Sequence, residues 1–239
     1  MMNRLIRVAL LLPLLAAGPG QWEIGQHISP PSAASHSFTV VQTKTCQSTG
    51  GGAATFTCAF LSAVTAGDAV LVAYSGTAYS ISSISPGTVS WFPATFDYGR
   101  MGVITGVTGA TITYTPASIW ATYGVIQWEV AGVNASSPLD TGSSAAVGMV
   151  SSYAAPPGTG SVTTTGAHDE VCGLVVGGES QTFTPGSGYN SHYGSITSGA
   201  GSPMLMECGT SIATPGAYNP LFSSTGVEDY FGTGSLALN

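Results

Sequence analysis

The chain has 239 residues, of which 44% are hydrophobic and 6% charged, and its formal net charge at pH 7 is −7. With only four Lys and Arg residues it lacks the cation clusters through which proteins bind nucleic acids or anionic membranes. The hydrophobic content excludes a disordered chain, and the 33 glycines with many Ser and Thr residues indicate a surface solvated by hydroxyls rather than by ions.

The N-terminus has the organisation of a secretory signal peptide. Arg4 and Arg7 precede an apolar run from Val8 to Ala17, and small residues follow. The run is shorter than the roughly 20 apolar residues of a membrane span. We therefore predict a signal peptide over residues 1–20, and a mature chain that is secreted or held at the cell surface. Removal of both arginines would take its formal charge to −9.

Residues 21–37 contain Pro30-Pro31 among small side chains, and we predict an N-terminal arm or linker there. No break in composition divides the rest, so a single domain is expected over residues 38–239, a size suited to one large all-β domain. An ordered arm could pair with a sheet edge of this chain or of a neighbouring copy.

Alternation of apolar and hydroxyl side chains predicts β-strands throughout, as in Thr111-Ile-Thr-Tyr-Thr115, whereas helical periodicity is nearly absent. Turn formers such as Pro86-Gly87 and Pro185-Gly186 separate the strands. This pattern predicts a single antiparallel β-sandwich, either jelly-roll-like or an enlarged immunoglobulin-like topology. The predicted strands cover residues 37–42, 54–61, 69–74, 88–92, 101–107, 111–115, 123–130, 160–165, 171–176, 204–208 and 230–238.

Four cysteines in an exported chain favour two disulfides, although four cysteines allow three pairings. We favour Cys46 with Cys58, which closes a short glycine-rich loop, and Cys172 with Cys208, which ties two predicted strands. A metal site is the weaker interpretation because neither pair has CxxC spacing.

Two segments repeat the same pattern and suggest two similar halves. Ser62–Asp68 leads into the apolar run after Asp68, and Ser161–Asp169 leads into the apolar run after Asp169. An Asp-containing turn before a strand is also common in any β-protein, so the repeat concerns architecture and not chemistry.

Several strand-and-turn segments extend over nearly all of the predicted mature chain: Ala66–Tyr74, Gln127–Asp140, Ser161–Thr163, Pro185–Tyr189 and Gly234–Leu238. Together they resemble secreted bacterial β-sandwich domains, a family whose members mostly have no assigned activity. The resemblance implies a sandwich fold and an extracellular setting, and it brings no catalytic residues.

The sequence contains no nucleophile elbow, zinc-protease helix, phosphate loop or dinucleotide-binding motif. A pair of carboxylates is the remaining catalytic hypothesis, because glycosidases need two acids across one site. Glu129 and Glu207 both lie in predicted strands, on the face opposite apolar neighbours. They could form a site if their strands shared a concave face, and otherwise each is expected to face solvent or bind a nearby loop.

Calcium is a possible structural ligand, since secreted sandwiches often bind it with Asp side chains in turns. The candidate residues are Asp68, Asp140 and Asp169, although none has the spacing of a calcium loop. Ordinary turn formation is the competing explanation for each of them.

Aromatic side chains in loops suggest carbohydrate binding, because sugar rings stack on Trp and Tyr while hydroxyls and amides bind their edges. Packing beneath long loops would explain the same aromatics, and Trp128 is expected in the core. The candidate ligand-binding residues are Tyr189, Asn190, His192, Tyr193, Trp91 and Tyr98.

These observations predict a secreted, non-catalytic structural or adhesive module of the cell surface or extracellular matrix, able to bind a glycan or to self-associate. The alternatives are a dedicated carbohydrate-binding module and a glycoside hydrolase that uses Glu129 and Glu207. A further alternative for the structural role is a filament subunit that inserts residues 21–37 into the sheet of a neighbouring copy.

Overall fold

The computed structural model describes residues 38–48, 55–76, 81–91, 99–117, 123–140, 145–150, 161–166, 169–177, 181–189, 192–196, 203–209, 214–225 and 231–239. All of them belong to one compact unit, Ser35–Asn239. The regular structure of these residues is β-strand alone, so the described ranges contain no helix of the length and hydrophobicity that a membrane span needs.

The strands in chain order are β1 (Thr39–Gln47), β2 (Phe56–Val64), β3 (Ala69–Gly76), β4 (Ile81–Ser85), β5 (Thr88–Trp91), β6 (Gly99–Thr105), β7 (Gly109–Pro116), β8 (Tyr123–Ala131), β9 (Ala145–Val150), β10 (Val162–Thr164), β11 (Glu170–Gly177), β12 (Thr182–Thr184), β13 (His192–Ile196), β14 (Met204–Cys208), β15 (Gly216–Tyr218), β16 (Ser223–Thr225) and β17 (Phe231–Leu238).

The first half of the described chain forms two antiparallel sheets. Inner sheet 1 has the strand order β1-β8-β3-β6-β5, and outer sheet 1 has the order β2-β7-β4. Strands β1 to β5 alternate between the two sheets, as do β6, β7 and β8, which is the jelly-roll arrangement, whereas β5 pairs with β6 at the edge of the inner sheet.

The second half repeats this topology strand by strand. Inner sheet 2 has the order β13-β14-β11-β17-β9, which is the order of inner sheet 1 when β9 is matched to β1 and β17 to β8. Two outer ribbons, β10-β15 and β12-β16, together replace outer sheet 1, since β15 and β16 divide the role of β7. The repeated turn pattern seen in the sequence falls at equivalent places, before β3 and before β11.

The two inner sheets pack face to face over the largest hydrophobic core. Alternate residues of β3, β6 and β8 meet alternate residues of β11, β14 and β17, and Trp128 is buried in this layer. The opposite face of inner sheet 1 packs on outer sheet 1, and that of inner sheet 2 packs on the two outer ribbons. Strands β3 and β11 are therefore buried on both faces, which explains their nearly continuous apolar sequences.

The structure contains both disulfides in the favoured pairing, Cys46–Cys58 and Cys172–Cys208. Cys46 lies on inner sheet 1 and Cys58 on outer sheet 1, so the first bond joins two sheets. Cys172 and Cys208 are direct neighbours across β11 and β14, and both face the central core.

The prediction of an antiparallel β-sandwich is confirmed, and the strand order is that of the jelly-roll alternative. Each of the eleven predicted strands overlaps an observed strand. Six observed strands have no counterpart among the predicted ones: β4, β9, β12, β13, β15 and β16.

Candidate functional site

The turn between β2 and β3 is built around the buried carboxylate of Glu129, which projects from β8. The backbone N–H of Thr65 donates to Glu129 Oε1 at 2.7 Å, and Gln42 Nε2 donates to Oε2. Gln42 also donates to the carbonyl of Ser62 at 3.1 Å. Asp68, at the end of the turn, shares a side-chain hydrogen bond with Glu129.

The turn between β10 and β11 repeats this arrangement with other residues. Thr165 donates from its backbone N–H to Asp140 Oδ2 and from Oγ1 to Oδ1 at 2.6 Å. Asp169, which immediately precedes β11, shares a side-chain hydrogen bond with Asp140 and accepts one from the Gly166 N–H at 2.8 Å. Each half of the molecule therefore has a Thr, a turn Asp and a second carboxyl group in one cluster.

The second carboxyl group reaches the two clusters from different segments. Glu129 lies opposite Val70, the second residue of β3, and the equivalent residue opposite Val171 is Ala237. Asp140 supplies the missing carboxyl group, because its backbone N–H binds the Ala237 carbonyl at 3.0 Å. We call these two clusters the paired-carboxyl turns.

The pKa values of the two acids in the first turn are shifted in opposite directions, and the pKa of the turn Asp in the second is shifted upward. Burial raises the pKa of Asp68, and the hydrogen bond to Glu129 raises it further. Burial also favours a higher pKa for Glu129, but the bonds donated by Thr65, Gln42 and Asp68 outweigh it and lower this pKa. Burial and the adjacent Asp140 likewise raise the pKa of Asp169.

The three candidate calcium ligands, Asp68, Asp140 and Asp169, all lie in the paired-carboxyl turns. A hydrogen bond between two carboxyl groups requires a proton, which a cation between the same oxygens would displace. Within the described ranges, His, Cys, Asp and Glu side chains form no group of three that could hold a metal ion. Their hydrogen bonds are those of turn-forming residues, and calcium binding by them stays a prediction.

Glu207 is a fully enclosed acid of inner sheet 2. It projects from β14 toward the outer ribbons, and none of its surface is exposed. Its Oε2 accepts a hydrogen bond from the Gly186 N–H at 2.8 Å, while Oε1 has no hydrogen-bond partner among the described residues. Burial raises the pKa of Glu207 to about 8, although the Gly186 bond acts in the opposite direction.

Tyr189 and Tyr193 lie on the same outer side of inner sheet 2 as Glu207. Tyr193 is the direct neighbour of Glu207 in the register of β13 and β14, and 57% of its surface is exposed. The turn from Pro185 to Tyr189 passes over Glu207, with the Tyr189 N–H bound to the Gly186 carbonyl at 3.1 Å. Burial, and then the nearby charge of Glu207, raise the pKa of Tyr189 to about 12.

The remaining aromatic candidates do not join this surface. His192 precedes Tyr193, so alternation along β13 turns its ring to the opposite face, where it lies 6.1 Å from the Phe38 ring. Trp91 belongs to the first half, where it packs edge-on against Tyr74 at a centroid distance of 5.4 Å. Asn190 and Tyr98 lie outside the described residues.

Glu129 and Glu207 are not brought together. Glu129 lies on the face of inner sheet 1 that meets outer sheet 1, and Glu207 lies on the face of inner sheet 2 that meets the outer ribbons. Both inner sheets and the core between them separate the two acids. Of the two other expectations, exposure to solvent and binding of a nearby loop, the structure agrees with the second, because both acids are fully buried and bind neighbouring loops.

Sequence reasoning missed the hydroxyl and amide partners of the acids, Thr65, Thr165 and Gln42. The signal that could have found two of them is the repeated turn itself, because a Thr precedes the Asp by three or four residues in both halves. Gln42 offers no such signal, since its contact depends on pairing between β1 and β8.

Comparisons with protein-family models, curated proteins and solved structures find no match to this chain.

Proposed function

We propose that the protein is a secreted, non-catalytic structural or adhesive module of a cell surface or extracellular matrix, and that it binds carbohydrate at the surface around Tyr193. The single observation that carries the binding part is the exposure of Tyr193. A large aromatic side chain, 57% exposed, is fixed on a strand of a rigid sheet.

The structural part of the proposal is supported by the construction of the fold. Two jelly rolls share one continuous core, and each half is tied by its own disulfide. Disulfides persist in oxidising compartments, so they suit an exported protein. The signal-peptide pattern in the sequence points to the same compartment.

Carbohydrate suits the Tyr193 surface because it combines a flat apolar ring with hydrogen-bonding groups. Tyr189 lies in the adjacent turn, and Leu221, 52% exposed, lies beside Gly186 of the same turn. The surface faces away from the central core, so a sugar could stack there without any rearrangement of the inner sheets.

The test is binding of the oxidised protein to a broad glycan array, with and without calcium. We expect saturable binding that Tyr193→Ala reduces at least about tenfold, the loss typical of a removed stacking contact in a binding site. Val41→Ala is the matched control, because Val41 is another exposed apolar residue, 51% exposed, in a strand of the first half.

A folded protein that binds no glycan would contradict the carbohydrate part and leave the structural role. Loss of binding in Val41→Ala as well would contradict the assignment to the Tyr193 surface. A dedicated carbohydrate-binding module would bind glycans as a soluble monomer, whereas an adhesive or matrix module would also associate with itself. Turnover of any polysaccharide would contradict the non-catalytic role.

A further inference from the structure

The solvent side of outer sheet 1 has a regular array of hydroxyl groups that the proposed function does not use. In β7, Ile112 and Tyr114 are buried in the core beneath the sheet, so the threonines between them project from the opposite side. The neighbouring strands add hydroxyls at positions opposite these threonines. We call the following six residues the hydroxyl face: Thr57 in β2, Thr111, Thr113 and Thr115 in β7, and Ser83 and Ser85 in β4.

The register of the three strands arranges the hydroxyl face in rows. Thr57 and Ser85 lie opposite Thr113 from its two sides, and Ser83 lies opposite Thr115 in the next row. Neighbouring strands of a sheet are about 4.8 Å apart, and alternate residues of one strand are about 6.7 Å apart. The hydroxyls therefore repeat in two perpendicular directions. Thr113 is at the centre of the array, where the twist of the sheet displaces its neighbours least.

These hydroxyls are available to bind a ligand. Four of the six residues are exposed, and Thr113 and Thr115 are half-buried. No side-chain hydroxyl of the six forms a hydrogen bond with another residue in the described ranges. The outer ribbon β12-β16 differs in this respect, because the hydroxyls of Thr184 and Ser223 bind each other.

The hydroxyl face also lacks charge. Strands β2, β4 and β7 contain no Asp, Glu, Lys or Arg residue. A hydroxyl both donates and accepts hydrogen bonds, as a water molecule does, whereas a carboxylate only accepts and an ammonium group only donates. Each hydroxyl of the face can therefore take the place of a water molecule in an uncharged hydrogen-bonded lattice.

Two other ligands suit the hydroxyl face less well. Sugars are bound through aromatic rings together with a few polar groups, and none of the six residues is aromatic. A second copy of the chain would need apolar area for a stable contact. Leu61 is the one large hydrophobic residue of β2, β4 and β7 that is mostly exposed, and it lies between Ala59 and Val64, where β2 is out of register with β7.

We propose that the hydroxyl face binds ice. Water molecules in ice both donate and accept hydrogen bonds, and on the flat faces of the crystal they repeat in two perpendicular directions at distances comparable to those of the hydroxyl face. Ice has no net charge, so an uncharged face complements it. The threonines add methyl groups beside the hydroxyls, and these offer the bound water no competing partner. This inference is independent of carbohydrate binding at Tyr193, which belongs to β13 in the second half.

The test is incorporation of the whole oxidised protein into slowly growing ice, measured as the concentration of protein in the ice relative to the remaining liquid. We expect the unmodified protein to be enriched in the ice, whereas a solute of similar mass that does not bind ice is excluded from it. Thr113→Tyr should remove the enrichment, because a ring at the centre of the array would hold the crystal away from the other hydroxyls. Tyr is well tolerated in strands, so this variant should fold.

Thr182→Tyr is the matched control, because Thr182 is an exposed strand residue of the second half, in β12 and outside the hydroxyl face. This variant should be enriched in ice as fully as the unmodified protein. Tyr193→Ala should also keep the enrichment, which separates this proposal from the carbohydrate site. If Thr113→Tyr does not fold, Thr57→Tyr in the same row carries the same expectation. Exclusion of the unmodified protein from ice would overturn the proposal, as would an equal loss in Thr182→Tyr.

Two further measurements test the other ligands. Binding to insoluble cellulose or chitin that Thr113→Tyr abolishes and Tyr193→Ala does not would identify the hydroxyl face as a polysaccharide site. Sedimentation of the unmodified protein as a dimer that Thr113→Tyr dissociates would show a contact between two copies. Either result would overturn the assignment to ice.

Discussion

Trp91 in the first half and Tyr193 in the second occupy equivalent positions, yet only Tyr193 is largely exposed. Each pairs across its edge strand with a residue that decides the outcome: Gly102 for Trp91 and Glu207 for Tyr193. A Cβ on Gly102 would lie 2.7 Å from Trp91 Cε3, so the indole ring occupies the space that a side chain would need.

In the second half that space belongs to Glu207, whose carboxylate binds the Gly186 turn instead. The aromatic ring therefore packs against the core where its partner is Gly, and lies at the surface where its partner is Glu. The comparison teaches that one position on the neighbouring strand can convert a packing residue into a candidate binding residue without any change of topology.

The disulfides differ between the halves in the same way. Cys172 and Cys208 occupy the positions that Leu71 and Val103 hold in inner sheet 1, where the two apolar side chains pack directly across β3 and β6. The second half thus has a covalent bond where the first has a hydrophobic contact. Among the described residues, the outer layer of this half is made of two short ribbons in place of a three-stranded sheet.

The largest expected effect comes from removing that bond. Cys172→Ala with Cys208→Ala should lower the free energy of unfolding by about 4 kcal/mol, and Cys46→Ala with Cys58→Ala by about 3 kcal/mol, because the closed loops span 36 and 12 residues. Urea unfolding measures both.

Replacement of Cys172 by Leu and Cys208 by Val gives the second half the residues that the first half has at the equivalent positions, Leu71 and Val103. We expect the Leu/Val double variant to lose less free energy of unfolding than the Ala double variant, because the larger side chains fill more of the core. A Leu/Val pair less stable than the Ala pair would show that the two halves are not equivalent at this position.

A smaller effect is expected from Glu207→Gln, and it depends on pH. The pKa of Glu207 is raised to about 8, so the stability linked to its proton is lost as the pH rises from about 4.5 to about 8. Gln keeps an acceptor for the Gly186 N–H and has no proton to lose. At pH 9 the variant should be more stable than the unmodified protein, by on the order of 3 kcal/mol, and at pH 4 the two should unfold alike.

Glu129→Gln is the control, because the pH dependence of its effect on stability should be opposite to that of Glu207→Gln. The pKa of Glu129 is lowered, so its charge stabilises the fold at neutral pH and its contribution is lost as the pH falls. This variant should be less stable than the unmodified protein at pH 7 and approach it in acid. Identical pH profiles for Glu207→Gln and Glu129→Gln would contradict the different environments of the two acids.

Much of the architecture could be predicted from the sequence, because a strand with one polar and one apolar face has alternating polar and apolar residues. The strand Thr111-Ile-Thr-Tyr-Thr115 alternates because β7 has one face on the core and one toward solvent. Strands β12, β15 and β16 have only three residues each, which is too short for a period of two to stand out. The stacking of two inner sheets was not predicted, since a run buried on both faces carries no alternation.

The candidate sites were predicted less well, because they depend on register between distant segments. The sequence places Glu129 and Glu207 on the polar side of their strands, and this is correct. It does not show that both sides of these strands are covered, so a shared cleft, solvent and a nearby loop all remained open as the surroundings of the two acids. Asp140 could not be matched to Asp169, because a backbone bond to Ala237 brings them together.

The smallest effect tests the position with which the comparison began. Gly102→Ala should lower the free energy of unfolding by about 2 kcal/mol, because its Cβ would meet the Trp91 ring and, at 2.9 Å, the backbone oxygen of Ser90, neither of which can move freely. Gly124→Ala is the matched control: its close contact at 2.8 Å is Cδ1 of Ile196, the end of a flexible side chain. Thermal unfolding compares them. If the indole ring is displaced outward as Tyr193 is, fluorescence of Gly102→Ala should shift to longer wavelength, while Gly124→Ala should leave it unchanged. An unshifted spectrum together with full stability would show that the Gly opposite Trp91 does not determine whether the ring is buried.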